Sequence, residues 1–131
     1  MEAKVKKKIL YVEDCPDLQE MTLAEMVSCF PEADIVTAES GNKAQLILTE
    51  RGDFDLIVTD YQMADGNGLE LLKFCESRQL GIPVIVFHGG SVGPVVFHLA
   101  SKDCVAVVLK PNHEELRRLG LERISPLNTK K

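Results

Sequence analysis

Five short runs of consecutive apolar residues punctuate the chain, at 9–12, 35–38, 56–59, 84–87 and 105–109. They are continuous rather than alternating, the pattern of parallel strands covered on both faces. Segments of helical length follow each of them. The first, 16–30, carries Leu18, Met21, Leu23 or Ala24, and Met26 at helical spacing. The second, 42–50, carries Ala44, Ile47 and Leu48, and the third, 69–78, carries Leu71, Leu72 and Cys75. A fourth spans 91–102, and the last covers 113–123 with Leu116, Leu119 and Leu121. Five strand–helix units imply a parallel sheet with right-handed crossovers, hence an α/β three-layer sandwich of (βα)5 type. The pattern occupies about residues 6–123. A single domain over 1–131 with a short tail at 124–131 accounts for the whole chain.

Chemistry in such a sheet collects beyond the carboxyl ends of the strands, at the switch point of the strand order. The first strand runs into Glu13 and Asp14, the third into Asp60, and the fifth into Lys110 followed by Pro111. With the order 2-1-3-4-5 the first and third strands are neighbours, so three carboxylates meet one amine. Carboxylates so close repel one another, and a bound cation offsets that cost. Carboxylates, a carbonyl and waters, with room left for a phosphoryl oxygen, suit Mg²⁺.

Composition narrows the class. The formal net charge of −5 argues against nucleic acid as a partner, since phosphate binding needs clustered Lys and Arg. The basic run of Lys4 and Lys6 to Lys8 reads as a solvated lead-in to the first strand. Cys15, Cys29, Cys75 and Cys104 form no C-x-x-C pair and no zinc spacing, so free thiols in a reducing compartment are expected. No apolar run reaches the ~18 residues of a membrane span, and no signal peptide is visible. A cytoplasmic protein with no membrane partner is the expectation.

The runs at 9–14 (ILYVED), 55–71 (DLIVTDYQMADGNGLEL), 83–87 (PVIVF) and 109–111 (LKP) resemble the receiver domains of two-component response regulators over nearly the whole chain. The resemblance implies a flavodoxin-like order 2-1-3-4-5. It implies a phosphoacceptor that assists its own phosphoryl transfer and hydrolysis rather than a conventional enzyme. Asp60 is then the nucleophile and takes the phosphoryl group from a sensor histidine kinase or a phosphotransfer protein. Mg²⁺ is bound by Asp14, by Asp60, by Glu13 through water and by the backbone carbonyl of Gln62. Lys110 pairs with Asp60 and then with the phosphoryl oxygens, and the N–H of Gly89 approaches them. Gly66 and Gly68 read as turn residues.

Two positions depart from the family pattern. Where the fourth strand should end in Thr or Ser stands His88, and where an aromatic should precede the lysine by three stands Val107. These positions couple phosphorylation to the output face in the family. The expectation is that His88 donates to the phosphoryl group in the hydroxyl's place, or that Ser91 does so, and that coupling is muted. A pseudo-receiver, an interaction module that works without phosphorylation, is the alternative. A phosphatase of the dehalogenase type needs an acid two residues after the nucleophile, where this chain has Gln62. The 89–93 run GGSVG lacks the spacing of a Walker or dinucleotide loop. In 91–102 the residues Val92, Val95, Val96 and Leu99 fit one face and Phe97 another. With no output module in the sequence, signalling goes through contact with an unknown downstream protein. A second copy, docking through the fourth helix, fifth strand and last helix, is a further expected partner.

Overall fold

The computed structural model describes residues 6–89, 105–110 and 112–124. Strands β1 (Lys7–Val12), β2 (Ala33–Ala38), β3 (Leu56–Thr59), β4 (Val84–His88) and β5 (Val105–Leu109) form one sheet of order β2-β1-β3-β4-β5. Every pairing is parallel. Helices α1 (Pro16–Cys29), α2 (Gly41–Glu50) and α3 (Gly68–Ser77) and a last helix, His113–Ile124, alternate with the strands. The fourth helical segment, with Ser91 and Phe97, lies outside the described residues, as do Lys4, Cys104, Pro111 and the tail from 125 onward.

Side chains alternate across each strand, so the sheet builds two cores. One face carries Leu10, Val12, Ile57, Val84 and Val86 against Ala44 and Leu48 of α2 and Leu71, Leu72 and Cys75 of α3. The other carries Ile9, Tyr11, Leu56, Val58, Ile85, Phe87 and Val108 against Met26 and Cys29 of α1 and Leu116 of the last helix. All four residues of β3 are buried, which is why that strand reads as an unbroken apolar run.

Local chemistry fixes the helix starts. The Ser40 side chain accepts the Lys43 N–H at 3.0 Å to cap α2. Asn67 and Glu70 form a reciprocal capping box on α3. Asn112 accepts the Glu115 N–H at 3.1 Å at the start of the last helix.

Three expectations need correction. The core face of α1 is Thr22, Met26 and Cys29, not the stripe through Leu18 and Met21, which are 41% and 66% exposed. Leu18 and Met21 instead line an apolar groove with Phe87 and His113. In the last helix Leu121 is exposed, and Gly120 packs inward because the Phe30 ring lies where its Cβ would be, 2.4 Å from Cζ. The basic run is a solvated lead-in only at Lys6, which is exposed and precedes β1. Lys7 and Lys8 belong to β1, Lys6 pairs with Asp34 at 3.4 Å, and Lys8 pairs with Asp53.

Candidate functional site

Strand register sets the site. Val12 pairs with Thr59 across β1 and β3, so the next residues, Glu13 and Asp60, stand level at the carboxyl edge. The ladder runs one step further, with Asp60 N–H donating to the Val12 carbonyl and Glu13 N–H to the Ala38 carbonyl, both at 3.0 Å. His88 pairs with Leu109 across β4 and β5, which brings Lys110 to the same edge. The Lys110 N–H donates to the His88 carbonyl at 2.9 Å. By the period-two alternation Glu13, Asp60 and Lys110 project from one face of the sheet, the face of Tyr11, Val58 and Val108.

Lys110 is the hub. Its Nζ donates to Glu13 Oε1 at 2.9 Å and to Asp60 Oδ2 at 3.3 Å. The ammonium therefore sits between the two carboxylates rather than facing them from a distance. Asp60 Oδ1 accepts the Tyr61 N–H at 2.6 Å and lies 2.9 Å from His88 Nδ1. Burial alone would raise the Asp60 pKa. The His88 contact, the Lys110 charge and the Tyr61 N–H outweigh it and hold the carboxyl below its ordinary value.

Glu13 shows the opposite balance. It is 1% exposed, and burial pushes its carboxyl up. Lys110 and the Cys15 N–H, 3.3 Å from Oε2, work against that, while the Asp60 charge adds to it. For Lys110 burial lowers the pKa, and hydrogen bonding to Glu13 with the pull of both carboxylates more than reverses it, so the amine stays charged.

Asp14 is turned away from this pair and accepts the Ala64 N–H at 3.1 Å. Gln62 is exposed beyond Asp60. Among the described residues no three His, Cys, Asp or Glu side chains stand together in a metal-holding group. The sequence thus brings Glu13, Asp60 and Lys110 to one place, while Asp14 occupies the rim. A Cβ on Gly89 would meet nothing closer than Lys110 Cβ at 3.8 Å, so no protein atom requires glycine there. Gly68 is different. Its missing side chain lets α3 start against the Asp60 carbonyl, which a Cβ would approach to 2.7 Å. Gly66 takes φ +85° and leaves no room for a Cβ beside Asn42, as its turn reading requires.

His88 is 7% exposed, and the Tyr61 ring meets it edge-on with centroids 5.6 Å apart. It touches the Asp60 carboxylate directly. Val107 is half-buried against the α2–α3 core, on the same side of the sheet as His88.

Sequence reading passed over Tyr11 and Gln19. The buried Tyr11 hydroxyl lies between Thr22 and Glu13 Oε1, at 3.5 Å from the latter, and burial holds its phenol well above the usual range. Gln19 donates its amide to the carbonyls of Glu13 at 3.0 Å and Ala38 at 3.4 Å, tying α1 to the ends of β1 and β2. The signal for Tyr11 was its position two before Glu13, on the same face. Nothing in the sequence marks Gln19.

The comparisons with known proteins meet this geometry. Residues 9–119 match the family model for the response regulator receiver domain. The chain belongs to that family. Among curated relatives, the response regulator protein PilR of Pseudomonas aeruginosa is 34% identical over 82 residues, covering 60% of this chain and 17% of that protein. A chemotaxis protein CheY homolog of Campylobacter jejuni is 30% identical over 81 residues, covering 60% of this chain and 62% of the relative. The chain thus spans less than two thirds of the length of these relatives. The receiver domain of a LuxO repressor homologue from Vibrio parahaemolyticus superposes with a TM-score of 0.81 at 21% identity, covering 95% of this chain and 94% of that one. TrrA from Thermotoga maritima, solved in complex with Mg²⁺–BeF, superposes with a TM-score of 0.75 at 25% identity, covering 88% and 97%. This receiver's strand order is the flavodoxin-like one that the resemblance implied. No described helix is long and apolar enough to cross a membrane.

Proposed function

We propose that this receiver is a phosphoacceptor of a two-component phosphorelay, with Asp60 as the nucleophile. The observation that carries this reading is the state of Asp60: buried at the end of β3, held ionised, and 3.3 Å from a charged Lys110. An ionised carboxylate attacks phosphorus, and a fixed cation beside it neutralises the charge of the incoming group. Lys110 fills both needs, first as partner of Asp60 Oδ2 and then of the phosphoryl oxygens. Phosphoryl transfer asks little more of a protein than positioning and charge neutralisation.

The donor set fits Mg²⁺. Glu13, Asp14, Asp60 and the Gln62 carbonyl offer only oxygens, the hard donors Mg²⁺ takes; Lys110 stands between Glu13 and Asp60 and Asp14 lies at the rim, so holding the ion would require the Asp14 carboxylate to turn inward. When bound, Mg²⁺ supplies further charge neutralisation on the phosphoryl oxygens. The donor is a phosphohistidine on a sensor kinase or phosphotransfer protein, and output passes to a downstream protein by contact, with a second copy as a further partner.

The alternative, a phosphorylation-independent module, draws support from the Lys110 ammonium between Glu13 and Asp60 and from the missing hydroxyl at His88. Incubation with Mg²⁺ and acetyl phosphate, read by intact mass, separates the two. One added phosphoryl group, lost in Asp60→Asn, is the expected result. An unchanged wild-type mass, or a phosphoryl group mapped to another residue, refutes the phosphoacceptor reading.

A further inference from the structure

The two oxygens of Asp60 are unequally held. Oδ1 accepts both the Tyr61 N–H at 2.6 Å and His88 Nδ1 at 2.9 Å, whereas Oδ2 accepts Lys110 Nζ at 3.3 Å. An oxygen whose lone pairs are committed to short hydrogen bonds is the poorer nucleophile. Oδ2 is therefore the atom that bonds to phosphorus, and Oδ1 becomes the carbonyl oxygen of the resulting acyl phosphate. His88 is fixed in its place. Its ring is buried, Tyr61 stands edge-on against it, and its carbonyl holds the Lys110 N–H at 2.9 Å. A donor so placed faces the carboxyl group rather than the incoming phosphoryl oxygens.

Building on the phosphoacceptor reading, we propose that His88 stabilises the leaving group when Asp60 gives up its phosphoryl group, so that this receiver forms a short-lived, strongly donating aspartyl phosphate. Loss of the group breaks the P–Oδ2 bond, and the bonding pair returns to Oδ2. In hydrolysis the oxygen of water forms the new bond to phosphorus and its proton passes to solvent, leaving inorganic phosphate and the carboxylate. In onward transfer an imidazole nitrogen of a partner takes the place of water. In either case Oδ1 changes from a neutral carbonyl oxygen to half of a carboxylate. A hydrogen bond to an ionised acceptor is roughly twice as strong as one to a neutral acceptor. The Nδ1–H bond to Oδ1 therefore strengthens along the reaction, which is the condition for lowering a barrier rather than merely binding. The transition state of phosphoryl transfer is loose, so the leaving carboxylate carries much of its charge there and most of this gain is realised. The chain is thereby fitted to a relay step that hands the group onward, more than to a state that persists.

The test compares side chains at position 88. His88→Asn keeps an N–H donor near the place of Nδ1, His88→Phe fills the ring's space without a donor, and His88→Ala lacks both donor and bulk. Each protein is labelled with acetyl phosphate and Mg²⁺, freed of the phosphodonor by desalting, and followed by intact mass. The phosphoryl lifetime should lengthen about five- to tenfold in His88→Phe and His88→Ala and stay within about twofold of wild type in His88→Asn. A merely structural role for His88 would not be rescued by Asn. Lifetimes that are unchanged or shorter in both donor-less variants overturn the proposal, as does an Asn variant that behaves like them. A wild type that takes up no phosphoryl group overturns the phosphoacceptor reading, and this proposal falls with it.

Discussion

Removing the Lys110 ammonium tests the electrostatic account of the site apart from any chemistry. In Lys110→Met the aliphatic stem is kept, and Glu13, 1% exposed, loses the cation 2.9 Å from Oε1. Breaking one side of a buried pair costs about 3–5 kcal/mol where the remaining charge is sealed from water. The Lys110 side chain is 17% exposed, so water reaches this site in part and about 2–4 kcal/mol is the better figure. For a domain of this size that lowers Tm by about 10 °C at pH 7. The pH dependence carries the sharper test. Burial already raises the Glu13 pKa, with Lys110 the largest opposing influence, so the variant raises it further. A carboxyl with a folded pKa above its unfolded one binds more protons folded than unfolded between the two values. Stability then falls as pH rises through that window and is regained on acidification. The deficit of Lys110→Met should therefore shrink between pH 7 and pH 4.5. The double variant Lys110→Met/Glu13→Gln should recover most of it at pH 7, because a neutral amide can keep the Cys15 N–H contact. Thermal melts across pH measure all three. Equal melting of wild type and Lys110→Met at pH 7, a deficit that grows on acidification, or no rescue by Glu13→Gln would refute the reasoning.

Two further outcomes concern packing. Leu18→Ser and Met21→Ser should each change stability by less than about 0.5 kcal/mol, against about 2–4 kcal/mol lost in Met26→Ala, as read by urea denaturation; the reverse ranking would restore the α1 face expected from sequence. Gly120→Ala should destabilise by about 1–3 kcal/mol despite the better helix propensity of Ala, because the Phe30 ring is buried 2.4 Å from the new Cβ, and in a Phe30→Leu background the same change should become neutral or stabilising.

The sheet was legible because its central strands β1, β3 and β4 are apolar runs with both faces covered. Such runs carry no ambiguity about facing. α1 was not legible for the opposite reason. Apolar residues at 18, 21, 23, 24, 26 and 27 surround the helix, so periodicity selects no side. The side is chosen by Met26 together with two residues that apolar counting undervalues, Cys29 and Thr22, the latter beside the Tyr11 phenol. A hydroxyl that can satisfy a buried hydroxyl belongs inside, and a hydrophobicity pattern has no means of saying so. The basic run was misread in part for a similar reason, since Lys8, within β1, reads as solvated until Asp53, distant in sequence, arrives beside it.

At the candidate site the sequence located residues but not their pairings. Counting strand ends places Glu13, Asp60 and Lys110 at one edge, and alternation puts them on one face, so their meeting follows from register alone. Which carboxylate the amine chooses does not. Lys110 is close to both, and the deeper burial of Glu13 makes its need for a counter-charge the greater, which is why the shorter contact goes there. His88 sits one residue past Phe87 and so has the opposite parity to the other three. It reaches Asp60 from across the strand, on the side of Tyr61, and for that reason it engages Oδ1 while Lys110 engages Oδ2. The parity of a single residue thus divides the two oxygens between an amine and an imidazole.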